Sequence, residues 1–518
     1  MFKSVKLIVV VLLLIFIIAS VSVFGAKNPR AREITVLAWD RGAVPPDQGT
    51  IEDNWYTREV NKRVAKLGIK VRWIPVPRAQ ESQKLPTMLA AGEAPDLCFT
   101  YDKFLLNTYI KNGALTDFTN LVNKYGHNIR KVNTQETMNA GKINGRIYSF
   151  VYRSVPTADT TWIRKDWLAK LGMKEPTNLD EFYNVLKAFK EKDPGKVGEK
   201  LVPLAFPNSR NYPFGIWYAL VLPAFCKEAP SKDRLFEQVY PLWPETKEAM
   251  RFMNKLYNEK LLGEFILDKD GTLFRQKFVR GEIGANGHFW HWPYAAAFQN
   301  ILDNLQKNVP GAQIGSISPW KGKSKENFLM FFRNKPYQYM WFSPKTAKYP
   351  DLVMKYLDWL ASDEGVYLTW FGLKDIDYKI VDGLPTPVSD ANNKQRVAWI
   401  SGQYNSFRNP FVNTPDKFAR NQALTFKEEY RPQFLKEAIY GSDKIKYSEP
   451  WLTSPTPTTD KLTPALQMKW EELQVKIITA PANEFDRVFD KAIKDYRQAG
   501  GDEVAKELAQ AYHAQYGK

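Results

Sequence analysis

The pattern of apolar and polar positions between residues 33 and 99 predicts strands and helices that follow each other in turn. Short apolar runs between turn residues predict strands, and apolar residues at helical spacing predict helices. In chain order these are strand Glu33–Trp39, helix Asn54–Leu67, strand Lys70–Ile74, a helix through Leu85–Ala91 and strand Leu97–Phe99. This order predicts a parallel sheet with helices packed on its faces.

A pair of helices is predicted at 162–192. The first helix, Arg164–Leu171, ends at Gly172, because glycine takes a positive φ without strain. Thr177 opens the second helix, and Thr177 with Asp180 has the form of a capping box. The second helix places one apolar face toward a core, formed by Leu179, Phe182, Tyr183, Leu186 and Phe189. From periodicity alone this is an ordinary pair of helices.

The order of parts in several segments is more specific than their periodicity. These segments are MLAAGEAPDL at 88–97, GALTDF at 113–118, GRIYSFVY at 145–152 and the helix pair at 162–192. Together they resemble the family 1 extracellular solute-binding proteins of ABC sugar importers, and most of all the alginate-oligosaccharide-binding receptors. The resemblance covers most of 33–518 and implies a binding protein that is not an enzyme.

The resemblance implies an α/β, two-lobed periplasmic-binding-protein fold of the type II kind. Each lobe would be a mostly parallel sheet with flanking helices, and three crossings would join the lobes. The first lobe is predicted at 27–152 plus 337–405, and the second lobe at 153–336 plus 406–518. Receptors of this family close on a solute and deliver it to permease subunits in the membrane. The expected partners are therefore an oligosaccharide and an ABC permease, and we expect a monomer.

Residues 1–25 have the pattern of a cleavable signal peptide. Lys3 and Lys6 precede the apolar run Leu7–Phe24, and a cleavage site is predicted before Ala26. An uncleaved membrane anchor is the alternative, because the apolar run is near the lower limit for spanning a bilayer. No cysteine stands directly after the run, so we expect a periplasmic or secreted protein without a lipid anchor.

Composition adds aromatic content and positive charge to this picture. Aromatic residues make up 14% of the chain, which indicates either a large aromatic core or rings that contact a ligand. The formal net charge is +17, but the basic residues are dispersed, so nucleic acid is not an expected partner. An acidic small ligand remains open, since a positive cleft would steer it. Cys98 and Cys226 have apolar neighbours and predict two buried thiols.

The strongest candidate for ligand contact is the segment GHFWHWPY at 287–294. Sugar recognition uses aromatic rings against the apolar sugar faces and a few polar groups for the hydroxyls. By resemblance Trp292 is the stacking ring, with Trp290 and His291 beside it. Core packing is the alternative, although proline and histidine next to the rings favour an exposed loop.

Three further segments are candidates, each with packing or a plain surface position as the alternative. They are Tyr152 and Arg153 at the first crossing, Trp399, Tyr404 and Arg408 near the third crossing, and Trp39, Asp40 and Arg41 after the first strand. The last group follows a parallel strand, whose carboxyl end points into the cleft. Arg78 and Tyr101 are weaker candidates on the same rim.

An acidic ligand would favour arginine, because the guanidinium fork pairs with a carboxylate through two parallel bonds. The arginines that we expect to contribute are Arg41, Arg153, Arg333 and Arg408.

The sequence offers little support for catalysis. His288 and His291 lie three residues apart without a third metal ligand nearby, and no nucleophile motif is present. A secreted polysaccharide-acting enzyme, a glycosidase or a lyase, is the alternative function, since it too would be exported, long and rich in tryptophan. A peptide receptor is a third class. The receptor-like order of segments, with 88–97, favours the binding protein.

The resembled alginate receptors continue the helix pair into a calcium loop. Here the continuation is Asp193–Lys200, in which Asp193 and Glu199 are the only side chains that offer carboxylate oxygens. Lys196 and Lys200 oppose a cation. We therefore expect weak calcium binding or none, no other cofactor, and a ligand that differs from alginate.

Overall fold

A computed structural model describes the chain from residue 31 to residue 517 with internal gaps. The described residues are 31–153, 155, 159–206, 220–228, 240–263, 272–294, 301–317, 320–323, 337–388, 396–443, 452 and 456–517. The predicted signal peptide at 1–25 and the candidate Arg333 lie outside them. Within the described part of the chain, no helix is long and apolar enough to cross a membrane.

Strands and helices alternate along most of the described chain. The strands are β1 (Arg32–Asp40), β2 (Ile69–Pro77), β3 (Cys98–Thr100), β4 (Lys142–Ile143), β5 (Arg146–Ile147), β6 (Ser149–Arg153), β7 (Asp159–Arg164), β8 (Val202–Ala205), β9 (Ile283–Phe289), β10 (Ile314–Ile317), β11 (Tyr337–Phe342), β12 (Tyr378–Val381) and β13 (Leu384–Pro387). The helices of the first half are α1 (Trp55–Val64), α2 (Glu81–Ala91), α3 (Lys103–Lys111), α4 (Thr119–Tyr125), α5 (His127–Val132), α6 (Gln135–Ala140), α7 (Lys165–Lys170), α8 (Leu179–Lys192) and α9 (Pro244–Asn258). The helices of the second half are α10 (Thr272–Val279), α11 (Ile301–Asn308), α12 (Pro350–Ala361), α13 (Asp363–Phe371), α14 (Ile400–Tyr404), α15 (Pro415–Leu424), α16 (Arg431–Asp443), α17 (Pro457–Ile478), α18 (Phe485–Tyr496) and α19 (Asp502–Tyr516).

The sheet of the first lobe has the strand order β2, β1, β3, β11, β6. β1 and β2 pair in parallel along their whole length, from Arg32 opposite Ile69 to Asp40 opposite Pro77. A parallel bridge between Val36 and Leu97 joins β1 to the chain just before β3. β11 then pairs antiparallel with both β3 and β6. The parallel sheet with crossover helices that the first segment predicted is confirmed.

The sheet of the second lobe has the strand order β10, β7, β9, β8. β8 pairs in parallel with β9, whereas β7 pairs antiparallel with both β9 and β10. The expectation of mostly parallel sheets is therefore met by the direction in which most strands run, but not by every pair of neighbouring strands.

One reversed strand in each lobe explains this difference. β7 begins just after the first crossing at Arg153, and β11 begins at Tyr337, where the chain returns to the first lobe. A strand that enters a lobe from the cleft must run away from it, while the other strands of that sheet run toward the cleft. Because β7 and β11 each lie between two other strands, they convert their neighbouring pairs to antiparallel ones.

The buried apolar side chains divide into separate cores. One core draws on residues between 34 and 152 and between 339 and 407. A second core draws on residues between 163 and 320 and between 452 and 512, and a third, rich in aromatic rings, on 162–314 and 423–434. Cys98 lies in the first core and Cys226 in the second, and both thiols are buried as predicted. The lobe boundaries given above stay a prediction.

The helix pair at 162–192 is present with a shifted cap. Gly172 ends the first helix with a φ of 64°, as predicted. Asn178, rather than Thr177, caps α8, since its side-chain oxygen accepts from the Glu181 N–H at 2.9 Å. Thr177 instead donates its N–H and its hydroxyl to the Glu181 carboxylate. The sequence therefore correctly predicted a cap at the start of this helix. The cap is Asn178, one residue further along, because its backbone is extended as a cap requires.

The turn at 88–97 ties the first lobe together. Gly92 ends α2 with a φ of 71°. Asp96 accepts from the Thr35 N–H at 2.8 Å and from the Lys348 N–H at 3.1 Å. Asp96 therefore joins the turn to β1 and to the residues just before α12.

Candidate functional site

The ends of the first-lobe strands meet at one edge of the sheet. These ends carry Trp39 and Asp40 at the end of β1, Arg41 after it, Arg78 after β2, Tyr101 after β3, Tyr152 and Arg153 in β6, and Tyr339 near the start of β11. In open α/β sheets the ligand crevice lies outside the carboxyl ends of the parallel strands. Candidate residues that are far apart in the chain therefore lie on one surface, which we call the first-lobe edge.

Tyr101, and not Trp39, is the exposed ring of this edge. Tyr101 is 44% exposed, whereas Trp39 is fully buried. The two rings stack with centroids 5.4 Å apart, and the guanidinium carbons of Arg78 and Arg41 lie 4.5 Å and 5.0 Å from the Trp39 ring centroid. Trp39 thus supports the edge from beneath through contact with Tyr101 and two arginines, and its predicted ligand contact stays a prediction.

A second aromatic pair continues the edge. Tyr339 stacks on Tyr152 with centroids 4.6 Å apart and meets Tyr101 edge-on at 5.7 Å. The Tyr339 hydroxyl donates to the Ser406 carbonyl at 2.6 Å, and burial raises the pKa of Tyr339. Sequence reasoning missed Tyr339 as part of the site, because the aromatic alternation of β11 predicted only a strand.

The arginines of the edge are held in place by polar contacts. Arg41 donates its side-chain Nε–H to the Gly402 carbonyl at 2.9 Å, and its backbone N–H to the Gln403 side-chain oxygen at 2.9 Å. Arg78 forms a 3.2 Å ion pair with Glu81, whose other oxygen accepts from the Thr100 hydroxyl at 2.8 Å. The guanidinium positions are therefore fixed by groups on three elements.

The pKa shifts of the edge show that its side chains are partly shielded from water. Burial is the largest cause of the lowered pKa of Arg41, and the positive charge of Arg78 adds to it. Burial also raises the pKa of Tyr101, although that ring keeps 44% of its surface exposed. Glu81 is buried beneath the edge, and burial raises its pKa.

Asp40 turns its carboxylate back onto the chain. Its Oδ1 accepts from the Gly42 N–H at 2.8 Å, and the side chain is half-buried. This Asx-type bond shapes the turn that directs Arg41 toward Gly402. The candidate Asp40 therefore contributes to the form of the edge.

Arg153 and Arg408 meet through their backbones at the crossings. The two residues form a parallel bridge, and the Arg153 carbonyl accepts from the Asn409 N–H at 3.0 Å. Arg408 is buried, and its guanidinium donates to the Ala361 carbonyl and to Asp363 at 2.7 Å. Arg153 Nη1 is buried without a hydrogen-bond partner among the described residues. Of the two arginines, Arg153 therefore keeps a guanidinium N–H that could bind a further group.

Trp399 and Tyr404 belong to the first-lobe core. Trp399 donates its indole N–H to Gln48 at 2.9 Å. Tyr404 is 3% exposed and donates its hydroxyl to the Ile51 carbonyl at 2.7 Å. In this arrangement both rings hold α14 against the sheet, which is the packing alternative considered for them.

Trp292 is covered on both faces in the second lobe. It is fully buried, stacks on His288 with ring centroids 4.6 Å apart, and meets Phe278 at 4.7 Å. The expected exposed loop is instead part of the third core. Proline and histidine suggested exposure, but helices that come later in the chain pack over the segment.

Trp290 and His291 show the same covering. The Trp290 ring packs on Phe434 of α16 at 5.1 Å and on Phe418 of α15 at 5.8 Å. Burial lowers the pKa of His291 to about 4. The ligand contacts expected of Trp290, His291 and Trp292 stay a prediction, and they require that this cover opens.

The loop after α8 satisfies its own polar groups. Asp193 ends α8 with a φ of 38°, and its two carboxylate oxygens accept from the Val197 and Gly198 N–H groups at 2.8 Å and 2.7 Å. Among the described residues, no group of three or more His, Cys, Asp or Glu side chains is placed to hold a metal ion.

Two lobes joined by three crossings, with an aromatic and cationic edge on the strand ends, define a solute receptor of the periplasmic-binding class. Residues 49–367 match the family model described as bacterial extracellular solute-binding protein, and the chain belongs to this family.

Two relatives and one solved structure show the extent of the similarity. Lipoprotein LipO of Bacillus subtilis (strain 168) is 26% identical over 476 residues, with 86% of both chains covered. The polygalacturonan/rhamnogalacturonan-binding protein YtcQ of the same organism is 27% identical over 469 residues, with 88% of this chain and 87% of YtcQ covered. The alginate-binding protein AlgQ2, solved without calcium ion, superposes with a TM-score of 0.65 at 19% identity over 93% of this chain and 98% of that one. The last match shows the fold.

Proposed function

We propose that this protein is the substrate-binding component of an ABC importer and captures an oligosaccharide between its lobes. Family membership supports solute binding outside the cytoplasm, and the names of YtcQ and AlgQ2 supply the sugar class. The captured solute would pass to permease subunits in the membrane.

The observation that carries the proposal is the first-lobe edge. An exposed tyrosine ring, supported by Trp39 and flanked by fixed hydrogen-bond donors, is the arrangement that sugar recognition uses. The apolar face of a pyranose ring would pack on Tyr101, and its hydroxyls would reach the arginines and the polar groups of the crossings.

A thermal-shift screen tests the proposal. A ligand that binds only the folded form stabilises it by about 2.7 kcal/mol at a hundredfold excess over Kd. We expect at least one member of a panel of uronate and neutral oligosaccharides to raise the melting temperature in proportion to the logarithm of its concentration. A panel of both kinds that leaves the melting temperature unmoved would refute oligosaccharide binding.

We propose further that the ligand is bound and not cleaved. Incubation of the protein with the oligosaccharide that shifts its melting temperature should return the oligosaccharide intact after hours, as judged by chromatography. Products that accumulate with time and enzyme concentration would support the alternative, a secreted glycosidase or lyase.

The acidic version of the proposal rests on the excess of positive charge, +17 over the chain, and on the arginines of the edge. It requires that salt weakens binding, because exposed charge pairs are screened.

We also propose export through a cleaved signal peptide, without a lipid anchor. LipO is named a lipoprotein, whereas no cysteine stands directly after the apolar run here.

A further inference from the structure

We propose that Arg41 and Arg78 form a preformed carboxylate subsite beside the Tyr101 ring, and that this subsite selects a hexuronate residue of the ligand. The inference rests on the oligosaccharide-receptor function proposed above and assigns its acidic specificity to one pair of residues. Each part of it follows from contacts on the first-lobe edge.

The charges of the pair are not balanced. Arg78 is paired with Glu81, and Arg41 has no carboxylate within ion-pair distance among the described residues. Asp40, the neighbouring acid, is engaged by the Gly42 N–H. The two guanidiniums repel each other, and Glu81 pairs with Arg78 alone, so Arg41 is the guanidinium that a ligand carboxylate could pair with.

Both guanidiniums are held before any ligand arrives. The Gly402 carbonyl fixes Arg41, and Glu81, itself bound by Thr100, fixes Arg78. Stacking on the Trp39 ring removes further rotamer freedom. Side chains that are already ordered lose less entropy on binding, so their bonds to a carboxylate contribute more to affinity.

The pair lies next to the exposed ring. The Arg78 guanidinium carbon is 5.4 Å from the Tyr101 ring centroid, and the charges of both arginines lower the pKa of the Tyr101 phenol against the effect of burial. In a hexuronate the carboxylate is attached directly to the sugar ring. A ring that packs on Tyr101 therefore brings its own carboxylate to the guanidiniums, which is the geometry of a charge-assisted bidentate contact.

Matched ligands separate this subsite from general sugar binding. The probes are trimers of galacturonate and of mannuronate, each compared with its fully methyl-esterified trimer, which keeps the skeleton and lacks the charge. Isothermal titration with wild type, Arg41→Gln, Arg78→Gln and the double variant gives the preference for acid over ester. Arg72→Gln is the control, since Arg72 lies on β2, the strand that Arg78 follows, and pairs with Glu33 on the surface.

We expect wild type to bind one acidic trimer at least tenfold more tightly than its ester, a difference of about 1.4 kcal/mol. Arg41→Gln and Arg78→Gln should each reduce acid binding by about tenfold, change ester binding by less than about threefold, and make acid binding less sensitive to salt. Arg72→Gln should bind as wild type does. Retained ester binding by the variants also shows that they are folded.

The two proposals fail differently. If wild type prefers a neutral oligosaccharide, or if the arginine variants keep the full acid preference, the subsite is refuted while the receptor function stands. If no oligosaccharide, acidic or neutral, binds to wild type, both are refuted.

Discussion

Tyr101 and Trp39 stack on each other, but their surroundings give them different roles. Trp39 is enclosed by Tyr101, Arg41 and Arg78, and Tyr101 keeps nearly half of its surface open. A covered ring contributes to the free energy of folding, and an open ring is available for a ligand. The same distinction separates the open Tyr101 from the covered Trp292.

Truncation of Tyr101 should affect ligand binding strongly and stability moderately, because the ring also covers Trp39. Tyr101→Ala removes the platform and should reduce affinity for the bound oligosaccharide by about tenfold, the loss expected for one aromatic contact. Tyr516→Ala is a matched control, because Tyr516 is 46% exposed and lies on α19, far along the chain. Equal affinities for wild type and Tyr101→Ala in calorimetric titrations would place the ligand elsewhere.

His291 should make the protein less stable in weak acid. Burial lowers its pKa to about 4 in the folded state, below the 6.5 of the unfolded chain. Between these values the unfolded chain binds more protons, so the free energy of unfolding falls as pH drops from about 6.5 to about 4. Urea titrations should show a shallower pH dependence for His291→Gln over this range. An identical slope in wild type and variant would mean that the imidazole is not buried in neutral form.

At the scale of elements, packing by α15 and α16 contributes to the burial of the segment after β9. Phe418 and Phe434 come from these helices and pack on Trp290, more than a hundred residues away in sequence. Trp292, in the same segment, is fully buried against Phe278 and His288, so Trp292→Ala should lower the free energy of unfolding by about 3–5 kcal/mol, as for other buried tryptophans. Ligand affinity of the folded fraction should change little in this arrangement. Loss of affinity with unchanged stability would restore the stacking role that the sequence predicted.

The loop after α8 should not depend on calcium. Asp193 bonds two N–H groups of its own loop, and Lys196 and Lys200 stand nearby in sequence. The melting temperature should be the same with calcium as with a chelator, measured by differential scanning calorimetry. A clear stabilisation by calcium, abolished in Asp193→Asn, would show that the loop still binds the ion.

The sequence predicted elements better than it predicted which side chains stay open. The glycine signal at Gly172 is local, and it marked a helix end correctly. The receptor-like segments also gave the two-lobed class. Exposure is not local: Trp290 is covered by helices from a distant part of the chain, and Tyr339 acquires its place only when β11 inserts between β3 and β6. Residue type and spacing do not indicate which side chains a distant segment will cover.

At the scale of the whole molecule, α3 of the first lobe contacts the start of α17, which packs in the core of the second lobe. Asn107 donates to Asp460 at 3.2 Å, and Lys103 donates to the Leu452 carbonyl at 2.8 Å. Both contacts join α3, whose Leu105 and Leu106 lie in the first core, to the part of the chain around Leu452, which lies in the second core. They would be lost if the lobes moved apart.

Removal of one bridging contact should therefore weaken ligand binding without touching the ligand. Asn107→Ala should reduce affinity by about threefold to tenfold, because a hydrogen bond made only in the closed form contributes about 0.5–1.5 kcal/mol to closure. Lys111→Ala on the same helix is the control. Unchanged affinity, together with an unchanged radius of gyration by small-angle scattering, would show that this contact does not influence closure.

The most direct test of the account is a crystal structure of the protein with the acidic trimer that it binds most tightly. The account predicts a sugar ring packed on Tyr101, with its carboxylate bonded to Arg41 and Arg78. Density for the trimer against Trp290 and Trp292, with Tyr101 and both arginines free of ligand, would contradict it.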